Sequence, residues 1–250
     1  MTTVRDVYDF LDSIAPFAGQ EPWDNSGLQV GNWGAQVRRA MVCLDVTPLN
    51  LMADARSGKT VTIDLVVSHH PVIFEPRRQL TGMDPAYMLA SMGISAIASH
   101  TPLDIAAGGV NDVLAEQLGL LDVRALPGGV RVGHVPEMAP DALARMVSQR
   151  LGTQVRFVSG RLNVSTVAVC GGAGGGFLPE IYGQADAYVT GEVKHSEFME
   201  AGQRHAMTLI AAGHYETEIP VIPLLTKRLR EAFPEVEWRI APERGEIQYA

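Results

Sequence analysis

Seven histidines punctuate the 250-residue chain, and neutral imidazole is the commonest protein ligand for transition metals. Their surroundings sort them. His134 and His205 sit among Gly, Arg and Gln and read as bystanders. His69-His70 instead follows the apolar run Leu65-Val66-Val67, and Pro71 turns the chain directly afterwards. Adjacent side chains of a strand point to opposite faces, so one ion reaches both rings only if the backbone bends there, whereas two ions side by side can take one each. For a lone His-His, polar capping of a strand is the plainer alternative. His100-Thr-Pro-Leu-Asp104 also follows an apolar run and sets a hard carboxylate oxygen beside an imidazole nitrogen. His214-Tyr-Glu-Thr-Glu218 repeats that spacing after a third apolar run. Taken singly, Asp104 fits a turn cap, and Glu218 fits a helix N-terminus, where a carboxylate is electrostatically favoured. Taken together, three apolar runs ending in such residues are explained more simply by convergence on one centre. Mixed imidazole and carboxylate donors suit Zn, Fe, Mn, Co or Ni without choosing among them.

The elements that must position these residues alternate between helix and strand signals, the pattern of an α/β protein. Val4, Val7, Tyr8, Phe10, Leu11 and Ile14 share one helical face, and Pro16 ends the run. Residues 39–46 read as a strand, and Thr47-Pro48 and Asp84-Pro85 place a capping side chain before proline, which opens a helix. Strands are expected near 63–67 and 94–99, and a helix after Asn111-Asp112 ends at Gly119. A second lobe, entered near 126–129, should carry a helix over 140–151 and strands near 155–158 and 164–170. The chain also repeats itself loosely. Met41-Val42-Cys43-Leu44 has a counterpart in Val167-Ala168-Val169-Cys170, and Asp64-Leu65-Val66-Val67 in Asp186-Ala187-Tyr188-Val189. Ile97-Ala98-Ser99-His100 likewise matches the run from Ile210 to His214. An internal duplication would bring the strand ends of both copies to one edge, where ligand sites form. Chance resemblance between short apolar strands is the alternative.

Composition narrows the function classes. With 46% hydrophobic residues the chain fills a sizeable core, yet no apolar run approaches the roughly 20 residues of a membrane helix. The N-terminal segment mixes Arg5 with Asp6 and Asp9 and lacks the form of a secretory signal, so a cytoplasmic protein without a membrane partner is expected. Cys43 and Cys170 are too few for a disulfide scaffold and are expected to be reduced and buried. Twenty basic against 28 acidic residues give a net charge of −8 with no basic block, which argues against nucleic acid. The glycine-rich segment 171–176 follows a strand, where backbone N–H groups can cradle phosphate, but it lacks the Lys-Ser/Thr of a P-loop and fits a tight turn as well. Asp24, Asn25 and Gln29 supply polarity either to line a pocket or to shape a turn.

The strings Glu21-Pro-Trp-Asp-Asn-Ser-Gly-Leu-Gln-Val-Gly31, Ser68-His-His-Pro-Val-Ile-Phe74, His100-Thr-Pro-Leu-Asp104, Gly108-Gly-Val-Asn-Asp112, Thr190-Gly-Glu192 and Gly213-His214 through Glu218 occur in this order along the chain. Together they resemble the GTP cyclohydrolase 1 type 2 homologue family, the interacting-factor-3-like dinuclear metal-centre proteins, in its short bacterial form. The resemblance implies two intertwined α/β lobes of similar topology, here residues 1–125 with 207–250 and residues 126–206, assembled as a toroidal homohexamer. It further implies two divalent metal ions: His70 and Asp104 on one, His69 and His214 on the other, Glu218 bridging. His100, with Glu192 as second choice, becomes a candidate for moving a proton. His195 falls in a stretch where the family varies, and no role is carried over to it. Three neutral imidazoles and two carboxylates leave two dications undercompensated, so an anionic substrate such as a phosphate ester or nucleotide is expected, with metal-assisted hydrolysis as the chemistry. The rival expectation is a non-enzymatic protein that stores or delivers metal or acts as a scaffold.

Overall fold

The computed structural model describes residues 1–52, 63–160 and 163–242 and divides into two units, Met1–Ala106 with Ile222–Ala250, and Ala107–Val221. Its strands are β1 (Gly27–Val30), β2 (Arg39–Cys43), β3 (Leu65–Ser68), β4 (Ser95–Ala98), β5 (Leu121–Ala125), β6 (Arg131–Met138), β7 (Arg156–Val158), β8 (Val164–Cys170), β9 (Ala187–Thr190), β10 (Thr208–Ala211) and β11 (Glu237–Ile240). The first unit holds a sheet of order β1-β4-β3-β2-β11, the second a sheet of order β5-β6-β8-β9-β10-β7.

Both sheets contain the same motif. Three parallel strands lie side by side, β2-β3-β4 in one and β8-β9-β10 in the other, and an antiparallel strand flanks the third, β1 on β4 and β7 on β10. The repeated acidic residue has the same job in each. Asp64 accepts the backbone N–H groups of Arg38 and Arg39, and Asp186 those of Ser165 and Thr166, so each carboxylate fixes the start of the neighbouring strand. Strands β3, β4, β9 and β10 are buried along their whole length, as parallel strands covered on both faces must be, which explains their unbroken apolar sequences. The expected α/β class and its two related sheets are therefore present.

Local signals explain the helices. Thr3 and Asp6 form a capping box on Val4–Ile14, whose Val4, Val7 and Leu11 are buried. Thr47 caps Pro48–Leu51, and Asp84 caps Pro85–Met92 with Gly93 left-handed at its end. In the second unit, Leu143 and Val147 of helix Pro140–Leu151 pack with Val167 and Val189 on one side of the sheet. Leu178 and Phe198 pack with Tyr188 and Leu209 on the other.

The division between units differs from the expected crossings near 126 and 206. Helix Val110–Gln117 buries Leu114 and Ala115 in the core of the second sheet, and β5 and β10 are strands of that sheet. Residues 107–125 and 207–221 therefore belong to the second unit, taking His214 and Glu218 with them. Residues 243–250 of the expected first lobe lie outside the described residues. Among the described residues no helix is long and apolar enough to cross a membrane.

Candidate metal centre

In the first unit the loop carrying His69 and His70 begins where β3 stops pairing regularly. His69 and His70 donate their successive backbone N–H groups to Cys43 and Leu44 of the same neighbouring segment, at 3.0 and 2.9 Å. A regular strand alternates these directions. The rings consequently do not part to opposite faces: their centroids lie 4.9 Å apart with planes 43° to one another. His69 is wholly buried. Its Nδ1 lies 2.9 Å from the carbonyl oxygen of Ser99, which can only accept, so Nδ1 carries the proton and Nε2 the lone pair. Asp104 Oδ1 lies 3.6 Å from that Nε2. His70 is oriented in the same way, Nδ1–H donating to Asp45 Oδ1 at 2.8 Å.

His100 joins this cluster. One ring nitrogen from each of His69, His70 and His100 falls within 4.8 Å of the others. The backbone of His100 precedes the short helix Thr101–Ile105 that carries Asp104, and its Nδ1–H donates to Asp24 Oδ1 at 2.8 Å. Asp24 has no exposed side-chain surface. Besides His100 it accepts Asn25 N–H (2.7 Å), Ser26 Oγ–H (2.9 Å), Thr101 N–H (3.1 Å) and Thr101 Oγ–H (2.6 Å). Burial pushes this carboxyl upward. The hydrogen bonds from His100, Thr101 and Ser26 outweigh burial and hold it well below the usual aspartate range.

The second unit presents its own donor pair. Gly213, at φ 89°, turns the chain into the short helix His214–Glu218. His214 Nδ1–H donates to Glu192 Oε1 at 2.9 Å, and Nε2 lies 3.2 Å from Oε2 of the buried Glu218. Two glycines back this turn. A Cβ on Gly172, whose φ is +62°, would overlap Glu218 Oε1 and stand 3.1 Å from His214 Nε2. One on Gly191 would stand 2.8 Å from His214 Cα.

In the segment 171–176 three backbone amides already have partners within the protein: Gly171 N–H is bonded to Asn111 Oδ1 (2.7 Å), Gly172 N–H to Thr217 Oγ (3.0 Å) and Gly174 N–H to Thr190 Oγ (3.1 Å). The left-handed φ of Gly172 fits the tight-turn alternative there. Gly172→Ala is expected to lower stability by about 1–3 kcal/mol through the left-handed φ and the overlap with Glu218. Gly176→Ala meets nothing within 4 Å and should change stability by less than roughly 0.5 kcal/mol. Urea unfolding of the two variants checks the contrast.

The remaining expectations sort plainly. His134 is exposed on β6, His205 ends helix His195–Arg204 in a left-handed conformation, and His195 is exposed at that helix's start. Glu192 lies against His214 and Asp45 against His70. Asp45 and the supporting role of Asp24 escaped sequence reasoning, since Asp24 lies 76 residues from His100 and Asp45 lies 25 from His70. The acidic residue inside Trp23-Asp24-Asn25 was the one available signal.

Comparison with known proteins identifies the family and the fold. The profile of the Duf34/NIF3 (NGG1p interacting factor 3) family matches residues 2–244. A GTP cyclohydrolase 1 type 2 homolog of Lactococcus lactis is 30% identical over 243 residues, covering 90% of this chain and 91% of that protein. A GTP cyclohydrolase 1 type 2 of Helicobacter pylori is 30% identical over 225 residues, covering 87% and 88%. Among solved structures, TTHA1606 from Thermus thermophilus superposes with a TM-score of 0.84 at 29% identity, covering 98% of this chain and 100% of that one. The Staphylococcus aureus protein SA1388 shares the fold at a TM-score of 0.90 and 24% identity, covering 99% of each chain. With a profile match over nearly its whole length, the chain belongs to the Duf34/NIF3 family.

Proposed function

We propose that this chain is a metal-dependent hydrolase of a nucleotide-like or phosphorylated small molecule, with His69, His70, Asp104, His214 and Glu218 as ligands of a dinuclear centre. The observation that carries the reading is the uniform state of the histidines. His69, His70 and His214 each give Nδ1–H to an oxygen of their own unit, which leaves Nε2 as the donor atom. That arrangement is the usual support for a metal-bound imidazole, fixing both tautomer and ring direction. In each unit a carboxylate oxygen then lies beside such a nitrogen, Asp104 at 3.6 Å from His69 and Glu218 at 3.2 Å from His214. This donor set fits divalent transition metals. Bound there, such cations would lower the pKa of a water and polarise a substrate oxygen, which is hydrolytic chemistry.

The chain's own residues have distinguishable tasks in this reading. Ser99 O, Asp45 and Glu192 orient the three ligand rings. Glu192, engaged with His214, is a positioning residue, and the proton carrier is His100: Asp24 holds the proton on Nδ1, so Nε2 can accept one beside the ligand nitrogens. The reading extends to a cytoplasmic toroidal hexamer acting on an anionic small molecule without a nucleic-acid or membrane partner, as the family resemblance and the net charge of −8 support. Elemental analysis of protein purified without added metal, followed by a turnover screen of the same material on GTP, other nucleotides and phosphoesters, tests it. Two metal equivalents per chain with hydrolysis that chelation abolishes is the expected result. Metal without turnover on the whole panel would favour storage or delivery, and no bound metal would remove the proposal.

A further inference from the structure

The string Gly108-Gly-Val-Asn-Asp112 leads into helix Val110–Gln117, and its two polar side chains go separate ways. Asp112 accepts Gly108 N–H at 2.5 Å and pairs with the Arg131 guanidinium, which donates also to Gly129 O. That knot ties the start of the helix to the start of β6. Asn111 is buried, with 1% of its surface exposed, and bridges two loops. Its Nδ2 donates to Gly129 O at 3.0 Å, and its Oδ1 accepts Gly171 N–H at 2.7 Å. A carbonyl only accepts and a backbone N–H only donates, so the position needs a side chain that does both.

Gly171 and Gly172 stand directly behind the donor pair of this unit. A Cβ on Gly171 would lie 3.2 Å from Glu218 Cγ, so the turn touches the stem of that carboxylate. Gly172 N–H donates to Thr217 Oγ at 3.0 Å, and the Thr217 hydroxyl lies 2.8 and 2.9 Å from the carbonyl oxygens of Gly213 and His214. Gly172 O accepts Glu192 N–H at 2.9 Å, and the Glu192 carboxylate holds Nδ1 of His214. The two glycine peptides therefore reach the short helix His214–Glu218 along its length, at His214, Thr217 and Glu218. A helix of five residues does not persist on its own backbone bonds, so its direction is set by what it is tied to. Asn111 fixes the first of those glycines from the far side.

We propose that Asn111 is a positioning residue of the metal centre: through Gly171 and Gly172 it sets the direction of helix His214–Glu218, and with it the places of the Glu218 carboxylate and His214 Nε2. The inference rests on the reading of those two residues as ligands, whereas the coupling of Asn111 to the helix does not. The link to Gly171 carries the positioning; the link to Gly129 serves the fold. An acceptor alone at residue 111 therefore preserves the centre while it weakens the protein, and an apolar residue there damages both. Thr217, 1% exposed, is the second arm of the same device, since its hydroxyl takes up the Gly172 amide from the helix side.

The test titrates Co2+ into the metal-free full chain, following its visible absorption, for the unaltered protein and for Asn111→Ala, Asn111→Asp, Thr217→Val and Thr217→Ser. Asn111→Ala and Thr217→Val should weaken Co2+ binding about tenfold or more and alter the absorption band. Asn111→Asp keeps an acceptor for Gly171 N–H, and Thr217→Ser keeps the hydroxyl, so both should retain affinity and band. Urea unfolding in chelator should show Asn111→Asp destabilised as Asn111→Ala is, which separates positioning from stability. Hydrogen exchange of the metal-free protein gives a second readout. The segment 213–219 should exchange roughly three- to tenfold faster in Asn111→Ala and unchanged in Asn111→Asp, with helix Pro140–Leu151 unchanged in both. Undiminished Co2+ affinity with an unaltered band in Asn111→Ala and Thr217→Val would overturn the proposal, as would equal losses in Asn111→Asp and Asn111→Ala. If the unaltered protein takes up no Co2+, the ligand reading falls, and the exchange comparison alone decides whether Asn111 sets the helix.

Discussion

With Glu218 in the proposed ligand set, Glu218→Gln is expected to lower metal binding before it costs the fold. Glu218 is buried, and its Oε2 lies 3.2 Å from His214 Nε2, so the only change is a charged oxygen for an amide of equal size. Removing a supporting partner of a metal ligand typically lowers metal affinity about 10–100-fold, and losing a carboxylate ligand itself should reach at least the upper figure. Stability of the metal-free form should hardly fall, because a buried carboxylate carries a desolvation cost that the amide does not. Elemental analysis after dialysis, thermal unfolding in chelator and turnover by the same preparation separate these effects. Reduced metal content with lost turnover and an unchanged metal-free melting temperature is the predicted combination. Full metal retention would remove Glu218 from the ligand set.

The second large effect lies at Asp24, where the expected loss is of stability and of His100 orientation together. Oδ1 accepts from His100 and Asn25, and Oδ2 from Ser26 and twice from Thr101. In Asp24→Asn one of these oxygens becomes an NH2 group: on the Oδ1 side it faces His100 Nδ1–H and Asn25 N–H, and on the Oδ2 side it faces Thr101 N–H while the Ser26 and Thr101 hydroxyls must turn to accept. With the side chain wholly buried, a loss of roughly 2–4 kcal/mol is expected. The sign of the pH dependence follows. The folded-state pKa is depressed, so the stabilisation is complete above the ordinary aspartate value of 3.8 and is lost as pH falls from there towards the folded value. The stability gap between the natural protein and Asp24→Asn should therefore be constant from neutral pH down to about 4 and narrow below it. Urea unfolding at pH 7, 5 and 3 measures this. A gap that widens on acidification would contradict the assignment of Asp24 as an ionised acceptor.

The core of each unit was legible because parallel strands covered on both faces leave uninterrupted apolar runs, such as Leu65-Val66-Val67 and Ala187-Tyr188-Val189. Helices opened by Thr47-Pro48 and Asp84-Pro85 were legible because capping is a contact between residues two or three apart. Strands β1, β5, β6 and β11 were not. All five residues of β5 are exposed, and β6 contains Gly133 and Pro136, so neither carries a clean apolar period. The placement of helix Val110–Gln117 in the second unit was likewise invisible, since an apolar face shows that a helix packs and not on which sheet.

At the candidate centre, residue type and the four-residue spacing of His100 with Asp104 and of His214 with Glu218 named the groups able to coordinate a cation, because donor chemistry belongs to the side chain itself. Which nitrogen of each ring would face a metal depended on the tertiary structure. That choice is made by the acceptor at Nδ1: Ser99 O for His69, Asp45 for His70, Glu192 for His214 and Asp24 for His100, at separations of 30, 25, 22 and 76 residues. The room for Glu218 depends likewise on the missing side chain of Gly172. Proton placement and close backbone approach are set by contacts between distant segments, and those contacts exist only once the sheets have formed.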